Sequence, residues 1–494
     1  MLYKSTRSQN AANASAAQII KQGLAEDGGL FVPESVPSLS MDEIVALCKE
    51  SYPVRAAKIL SKFLTDYTYE ELLADCTAAY DEKSFVGGAA PLVDLCDNYK
   101  VLELWHGPTA AFKDMALQIM PRLLSRALVK TGEERTALIL VATSGDTGKA
   151  ALEGYKDIDR VKIMVFYPVD GVSRVQKLQM ATQTGANVNV CAIEGNFDDA
   201  QTGVKVIFGD ASMAEKLQEN GYFFSSANSI NWGRLAPQIV YYVSAYCDLI
   251  ANGTCRAGEC FNVCVPTGNF GNIFAAYLAK LMGLPIGKLI CASNANNILT
   301  DFLRTGTYDR NRDFYLTMSP SMDILISSNL ERLLYFTAGS EKTAAYMEQL
   351  KKDGCYTVER TVLDEIRKNF VGYFADEAET AKTIRETYAE NGYLSDTHTA
   401  VAISAAKQYV ADTNDTRPMV IDSTASPYKF ANNVYRSVTG KAASSDLEAL
   451  DELAEATGTS IPYPLAGLAS RQVRFTKVVK REEMAQAVLD YLEI

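Results

Sequence analysis

The sequence contains very little histidine: only His106 and His398 occur in 494 residues. Two imidazoles leave little room for histidine-based acid–base chemistry, and a structural zinc cluster needs about four nitrogen or sulfur ligands. The nearest group of cysteines, Cys255, Cys260 and Cys264, lacks a fourth ligand. We therefore expect no metal site, and we expect proton transfer to use another group, with lysine as the leading candidate.

Long apolar runs and excess positive charge are also missing. No stretch approaches the roughly 20 apolar residues of a membrane-spanning helix, and residues 1–7 lack the apolar segment of a signal peptide. The chain has 60 Asp and Glu against 48 Lys and Arg, a net charge of −12, which repels nucleic acids and anionic lipid. Its ten cysteines are scattered rather than arranged as a disulfide framework. These absences predict a cytoplasmic protein that binds neither nucleic acid nor membrane.

What is present is the alternating pattern of an α/β protein. At roughly 150 residues per domain, the length corresponds to about three domains. Apolar strands alternate with helices through the middle of the chain, with strands predicted at 136–143, 161–167, 187–193, 261–265 and 288–292 and helices at 149–155, 173–183, 197–208 and 273–282. Continuous apolar strands predict a parallel sheet covered on both faces, and such sheets bind ligands at the carboxyl ends of their strands.

The flanking regions differ from this core. Residues 1–95 are rich in helix formers and predict an N-terminal helical cap. Residues 296–390 are polar and mostly helical, and they predict an insertion before a late strand at 419–422. The α/β core then comprises residues 96–295 and 391–494, with a smaller lobe at about 130–255.

Two glycine-containing loops follow predicted strands. The first, at 142–149, departs from a nucleotide-binding P-loop because Thr143 and Ala150 stand where Gly and Ser or Thr are needed. In the second, backbone N–H groups and a helix N-terminus suit a phosphate; it consists of Gly268, Asn269, Phe270, Gly271 and Asn272. Each loop alone is equally compatible with a simple turn, but two in one sheet favour a phosphorylated ligand.

Besides the two loops, Lys113 is a candidate functional residue. It follows an apolar triplet and precedes an apolar helix predicted at 115–129, so its amine should be desolvated and its pKa lowered; an ordinary solvated lysine is the alternative. A desolvated lysine and a phosphate loop together predict pyridoxal 5′-phosphate (PLP), whose aldehyde binds lysine. Thr424, after the late strand, is the predicted hydroxyl partner of the pyridine nitrogen, with a simple helix cap as the alternative.

Eight short motifs lie, in chain order, at residues 23–33, 106–114, 144–148, 228–232, 268–272, 319–323, 328–332 and 396–401. Together they cover nearly the whole chain, and they resemble the motifs of the threonine synthases, in the longer form found in many bacteria and in fungi. The resemblance implies a two-lobed PLP-dependent core of the tryptophan-synthase-β type. It also implies conversion of O-phospho-L-homoserine and water to L-threonine and phosphate, the last step of threonine biosynthesis. Ser426 and Thr397 depart from the family pattern.

The resemblance further implies roles for individual residues. Lys113 holds the cofactor and then acts as general base, and Asp146 contacts the 3′ oxygen of the cofactor. Because a carboxylate repels a phenolate, either one of these two groups is protonated or Asp146 turns elsewhere. The substrate-binding candidates, of which the last two are cations for the substrate phosphate, are Ser144, Gly145, Thr147, Ser229, Asn231, Arg234 and Lys177.

Two other functions stay open at this stage. A serine or threonine ammonia-lyase of the same fold would share Lys113 and both loops but would not need a second phosphate pocket; the N-terminal motif and the long insertion argue against it. A non-catalytic relative that binds PLP or phosphorylated ligands predicts the loss of a catalytic group, and Lys113 is present. A monomer and a homodimer are equally compatible with the sequence.

Overall fold

The computed structural model describes residues 1–96, 98–143, 145–170 and 172–494. Its strands, in chain order, are β1 (Tyr3–Ser5), β2 (Phe31–Pro33), β3 (Leu92–Cys96), β4 (Tyr99–Glu103), β5 (Thr136–Ala142), β6 (Val161–Pro168), β7 (Val188–Ile193), β8 (Tyr222–Ser225), β9 (Phe261–Pro266), β10 (Ile286–Ser293), β11 (Thr307–Asp309), β12 (Cys355–Thr357), β13 (Phe370–Phe374), β14 (Met419–Ser423) and β15 (Val478–Val479).

The helices form the rest of the regular structure. In chain order they are α1 (Ala16–Gln22), α2 (Met41–Leu47), α3 (Tyr52–Phe63), α4 (Tyr69–Ala79), α5 (Asp114–Leu117), α6 (Met120–Lys130), α7 (Asp146–Tyr155), α8 (Arg174–Ala181), α9 (Phe197–Gly209), α10 (Ala211–Glu219), α11 (Trp232–Ala251), α12 (Gly271–Met282), α13 (Ile298–Thr305), α14 (Leu330–Asp353), α15 (Arg360–Asn369), α16 (Glu377–Asn391), α17 (Thr397–Thr413), α18 (Ala431–Thr439), α19 (Glu448–Thr457) and α20 (Met484–Leu492). A short 3-10 helix at Pro427–Phe430 precedes α18.

The larger of two main sheets has the strand order β13-β10-β9-β14-β4-β3. Its neighbours are parallel apart from β3 and β4, which pair antiparallel. Strands β3 and β4 lie outside the predicted strands, and they pair antiparallel because too few residues separate them for the long crossover that a parallel pair requires. The predicted strands at 261–265, 288–292 and 419–422 are present as β9, β10 and β14. Strand β13, within the predicted insertion, was missed.

The smaller sheet has the order β15-β7-β6-β5-β8, with every neighbour parallel. Strands β5, β6 and β7 match the predicted ones. Strand β15 returns to this sheet from the C-terminal region, and α20 follows it. Met484 and Val488 of α20 are fully buried in the same core cluster as Ile207 of α9, so this last helix is an integral layer of the small lobe rather than a surface addition.

The N-terminal residues form the antiparallel pair β1–β2 and the helices α1 to α4, of which α1, α2 and α4 begin with capping boxes at Ser15, Ser40 and Thr68. Of these helices, α1, α2 and α3 pack on α11, a helix that is apolar and buried on nearly all sides, and α4 packs on α3. The ring of Trp232 in α11 lies 5.5 Å from that of Tyr3. Because α11 starts beside the candidate substrate residues, this packing fixes one wall of the site.

The single apolar helix predicted at 115–129 is in fact two helices, α5 and α6. Pro121 lies in the first turn of α6. It has no N–H to donate to the carbonyl of Leu117, so a continuous helix would lose this hydrogen bond and clash there. The break leaves the Leu117 carbonyl open to close contact with α7.

Gly154 of α7 occupies that contact, and its substitution should destabilise the fold. A Cβ at Gly154 would collide with the backbone oxygen of Leu117, so we expect Gly154→Ala to lower the free energy of unfolding by about 1–3 kcal/mol. Gly209, the last residue of α9, is the matched control, because a Cβ there meets no atom within 4 Å. Denaturant unfolding of both variants is the measurement; a wild-type midpoint for Gly154→Ala would contradict the prediction.

Candidate active site

The loop that carries Lys113 is joined directly to the segment that follows β14. Phe112 donates its N–H to the carbonyl of Thr424 at 2.8 Å, and Ser426 donates its N–H to the carbonyl of Ala110 at 3.0 Å. Strands β4 and β14, which lead into these two segments, are parallel neighbours. Their carboxyl ends therefore bring Lys113 and Thr424 to the same edge of the large sheet, as expected for a ligand site in an α/β fold.

The amine of Lys113 has the environment that the sequence predicted. Burial lowers the pKa of Lys113 to about 8, while the Asp146 carboxylate opposes this shift and the charges of Arg234 and Lys429 add to it. A lysine with this pKa is partly neutral near pH 7–8 and can act as a nucleophile or a base.

This pKa can be measured by chemical labelling of the protein without cofactor. We expect the labelling rate of Lys113 by an amine-reactive reagent to level off above about pH 8, whereas ordinary lysines become more reactive up to about pH 10 because their pKa is about 10.4. Quantitative mass spectrometry of the labelled peptides gives both profiles in one sample, with exposed Lys407 as the internal control. Identical profiles would contradict the prediction.

The second glycine loop presents its N–H groups on one side. Ser327 donates its hydroxyl to the carbonyl of Gly268 at 2.6 Å, and the backbone N–H of Asn329 donates to the carbonyl of Asn269 at 3.0 Å. Because N–H and C=O point in opposite directions across a trans peptide, the N–H groups of Asn269 and Phe270 face away from these partners. Within the described ranges, neither these N–H groups nor that of Gly271 has an acceptor in the chain.

Phe270 sets the shape of this loop. Its φ of 64° is left-handed, a conformation that an aromatic residue rarely adopts, and it immediately precedes α12. Unpaired N–H groups at the N-terminus of a 12-residue helix are donors of the kind that suit a phosphate group. The side chain of Asn272 is not part of that site: its amide donates to Asp422 at 3.0 Å and its oxygen accepts from Tyr242 at 2.6 Å.

The Thr424 hydroxyl is available to a ligand. Thr424 is buried, and no partner for its Oγ1 occurs in the part of the chain that the structure describes. A desolvated lysine amine, a cradle of unpaired N–H groups and a free buried hydroxyl fit the aldehyde, phosphate and pyridine nitrogen of PLP. The chemistry of the donor set thus agrees with this cofactor.

Asp146 is paired with a lysine that the sequence analysis missed. The Nζ of Lys429 lies 2.8 Å from Oδ1 of Asp146, and Gln176 donates to the same oxygen at 3.0 Å. Burial favours the neutral acid, but the charges of Lys429 and Lys113 and the hydrogen bonds outweigh it and hold the pKa of Asp146 well below its usual range. Of the open alternatives, the structure favours an ionised Asp146. The sequence signal that could have indicated Lys429 is its position within an otherwise apolar stretch, residues 427–431.

The two candidate cations for a substrate phosphate differ in their surroundings. Arg234, buried near the start of α11, uses one guanidinium nitrogen to donate to the carbonyl of Ala227 at 2.8 Å. Burial lowers the pKa of Arg234 to about 10, so it stays charged at neutral pH, and its charge is felt at Lys113. The ammonium of Lys177 instead donates to the carbonyl of Val169.

The other predicted substrate-binding residues differ in their positions and partners. Gly145 has a φ of 154° and immediately precedes α7, with Thr147 in the first turn of that helix. The Ser229 hydroxyl accepts at 3.4 Å from Asn329, which also binds the phosphate loop. Asn231 has a structural role: its oxygen caps α11 and its amide donates to the carbonyls of residues 20 and 226. Ser144 lies outside the described residues.

Both histidines are hydrogen-bonded to other parts of the chain. His398 is buried, with Nδ1 3.0 Å from Asp396 and Nε2 accepting from the N–H of Ser321 at 3.1 Å, so it links α17 to the segment before α14. His106 lies beside Glu103. Across the described residues, no group of three or more potential ligands could hold a metal ion, and no helix there is long and apolar enough to cross a membrane.

Comparisons with known proteins agree with this geometry. Residues 99–421 match the family model for pyridoxal-phosphate dependent enzymes, which makes the protein a PLP-dependent enzyme. Residues 2–80 match the model for the threonine synthase N terminus, and residues 399–489 match that for the threonine synthase C-terminal region. The chain belongs to the threonine synthase family.

Three relatives illustrate this membership. Threonine synthase of Pseudomonas aeruginosa is 39% identical over 493 residues, 99% of this chain and 97% of that protein. A crystal structure of PLP-bound threonine synthase from Brucella melitensis has a TM-score of 0.88 and 37% identity, covering 99% of each chain. Human threonine synthase-like 1 is 42% identical over 429 residues, 84% of this chain but only 57% of that protein; the chain thus spans little more than half the length of this relative.

Proposed function

We propose that the protein converts O-phospho-L-homoserine and water to L-threonine and phosphate, as a lyase of threonine biosynthesis. The observation that carries the proposal is a buried cation, Arg234, that is separate from the loop proposed for the cofactor phosphate. The site has a phosphate loop at the start of α12, and it has in addition the buried, charged Arg234 near Lys113. A cofactor and a substrate that each carry a phosphate require two separate phosphate-binding features, and the loop and Arg234 supply them.

Within this proposal, Lys113 would hold the PLP aldehyde and Thr424 would serve its pyridine nitrogen. The loop of Gly268, Asn269, Phe270, Gly271 and Asn272 would hold the cofactor phosphate, and Asp146 would be the neighbour of the cofactor's 3′ oxygen. When bound, PLP supplies an electron sink that acidifies the hydrogens of an amino-acid substrate.

The chain's own groups then move and hold the reacting atoms. The Lys113 amine, with its lowered pKa, takes the proton from Cα of the substrate. Arg234 binds the substrate phosphate and stabilises its negative charge as it leaves. Gly145, Thr147 and Ser229 are the proposed contacts of the rest of the substrate.

The test is a comparison of two substrates on the PLP-loaded protein. With O-phospho-L-homoserine we expect phosphate and L-threonine to be released in equal amounts, and with L-threonine we expect no keto acid. Keto acid from threonine without phosphate release would identify an ammonia-lyase. A bound cofactor with no turnover of either compound would identify a non-catalytic relative.

We also propose the division into a cap at 1–95, a core at 96–295 and 391–494 with a smaller lobe at about 130–255, and an insertion at 296–390. Two separate sheets support a two-lobed core. We propose the cytoplasm as the location, because the ten cysteines are scattered along the sequence rather than arranged as the disulfide framework of a secreted protein. The proposed quaternary state is a monomer or homodimer.

A further inference from the structure

Lys429 is an unusual lysine because its side chain is completely buried. It lies in the short helix at Pro427–Phe430, on the large-sheet side of the site. Its ammonium donates to Asp146 at 2.8 Å, to Oε1 of Gln179 at 2.9 Å and to the carbonyl of Thr109 at 3.2 Å. An ammonium has three N–H groups, so these three acceptors satisfy it fully.

The three acceptors belong to separate parts of the site. Thr109 lies in the loop that leads to Lys113, Asp146 begins α7, and Gln179 lies in α8. Helices α7 and α8 belong to the small lobe, so Lys429 connects that lobe to the large one. Burial of a charge is costly unless it is paired and hydrogen-bonded, and Asp146 is its carboxylate partner.

We propose that Lys429 is a positioning residue of the reaction: its buried ammonium fixes the Asp146 carboxylate beside Lys113 across the boundary between the lobes. The pair is neutral as a whole, so the 3′ oxygen of the cofactor would meet less repulsion from Asp146 than from an unpaired carboxylate. This proposal rests on the proposed role of Lys113.

The charges around Lys113 determine the direction in which each substitution should shift the protonation of the lysine–PLP linkage. Lys113 senses Asp146, Arg234 and Lys429. The charge of Lys429 also acts on Asp114 and on Lys149, which is paired with Glu153. Removing the Lys429 charge should favour the protonated form of the lysine–PLP linkage, whereas removing the Asp146 charge should disfavour it. Removing both should largely cancel.

The experiment is a pH titration of the visible absorbance of lysine-bound PLP in the holoenzyme. We expect Lys429→Met to raise the midpoint by about one pH unit and Asp146→Asn to lower it by about the same amount. The double variant, which leaves no unpaired buried charge, should fold and return close to the wild-type midpoint. An unchanged midpoint in Lys429→Met, or an equal shift in the double variant and in Asp146→Asn, would overturn the proposal.

Lys149→Met is the matched control for a merely structural role. Lys149 is also buried, and it pairs with Glu153 at 2.9 Å on α7, so its loss should destabilise the fold without moving the midpoint. Failure of the proposed function would be seen separately: a wild-type protein with the absorbance band that releases no phosphate from O-phospho-L-homoserine would refute the substrate and leave the titration valid.

Discussion

Replacement of Lys113 by alanine should abolish the visible absorbance band of the PLP-loaded protein and reduce kcat by about 10⁴-fold. The reason is that one amine serves twice: it binds the cofactor aldehyde, and it removes a proton from the substrate. Absorbance spectra after incubation with PLP, followed by phosphate-release assays, measure both effects.

Lys130→Ala provides the control for this substitution. Lys130 ends α6 and pairs with Glu71 at 2.7 Å, so it belongs to the same helical pair that follows Lys113 but does not face the site. Its loss should leave band and rate close to wild type. A Lys113→Ala protein that kept the wild-type band would show that another lysine holds the cofactor.

The strands that the sequence predicts, β5, β6, β7, β9, β10 and β14, are mostly buried along their length. All six residues of β9 are buried. A strand that is buried on both faces of its sheet has a continuous apolar sequence, which makes it recognisable. Strands β13 and β15 were missed for different reasons. Strand β13 lies at the edge of its sheet within a polar, helical region, and β15 has only two residues, too few for any periodicity.

The parts of the site that could be predicted are local in sequence. Lys113 after an apolar triplet and a glycine loop before a helix each lie within about ten residues, and their chemistry follows from that short context. Lys429 could not be assigned in this way, because its partner Asp146 is almost three hundred residues away in the chain. For the same reason the charge state of Asp146 stayed open until the fold placed a cation beside it.

The net charge of the protein does not describe the local charge of the site. The net charge of −12 belongs to the whole molecule, yet Lys113 and Lys429 act on the ionised carboxylate of Asp146, and Arg234 acts on Lys113. Inside a poorly solvated site these neighbours act at short range with little screening. A negative protein can therefore bind two phosphorylated anions.

Arg234→Met should retain PLP but lower kcat/KM for O-phospho-L-homoserine by roughly 100-fold or more, since loss of a buried charge partner costs about 3 kcal/mol. Arg234→Lys keeps a positive charge without the planar fork and should lose less. Lys177→Met is the matched control: because that ammonium donates to the Val169 carbonyl, we expect a change within about threefold. Steady-state phosphate release, with the visible band recorded for each variant, separates substrate binding from cofactor loss. A larger defect in Lys177→Met than in Arg234→Met would reassign the substrate phosphate to α8.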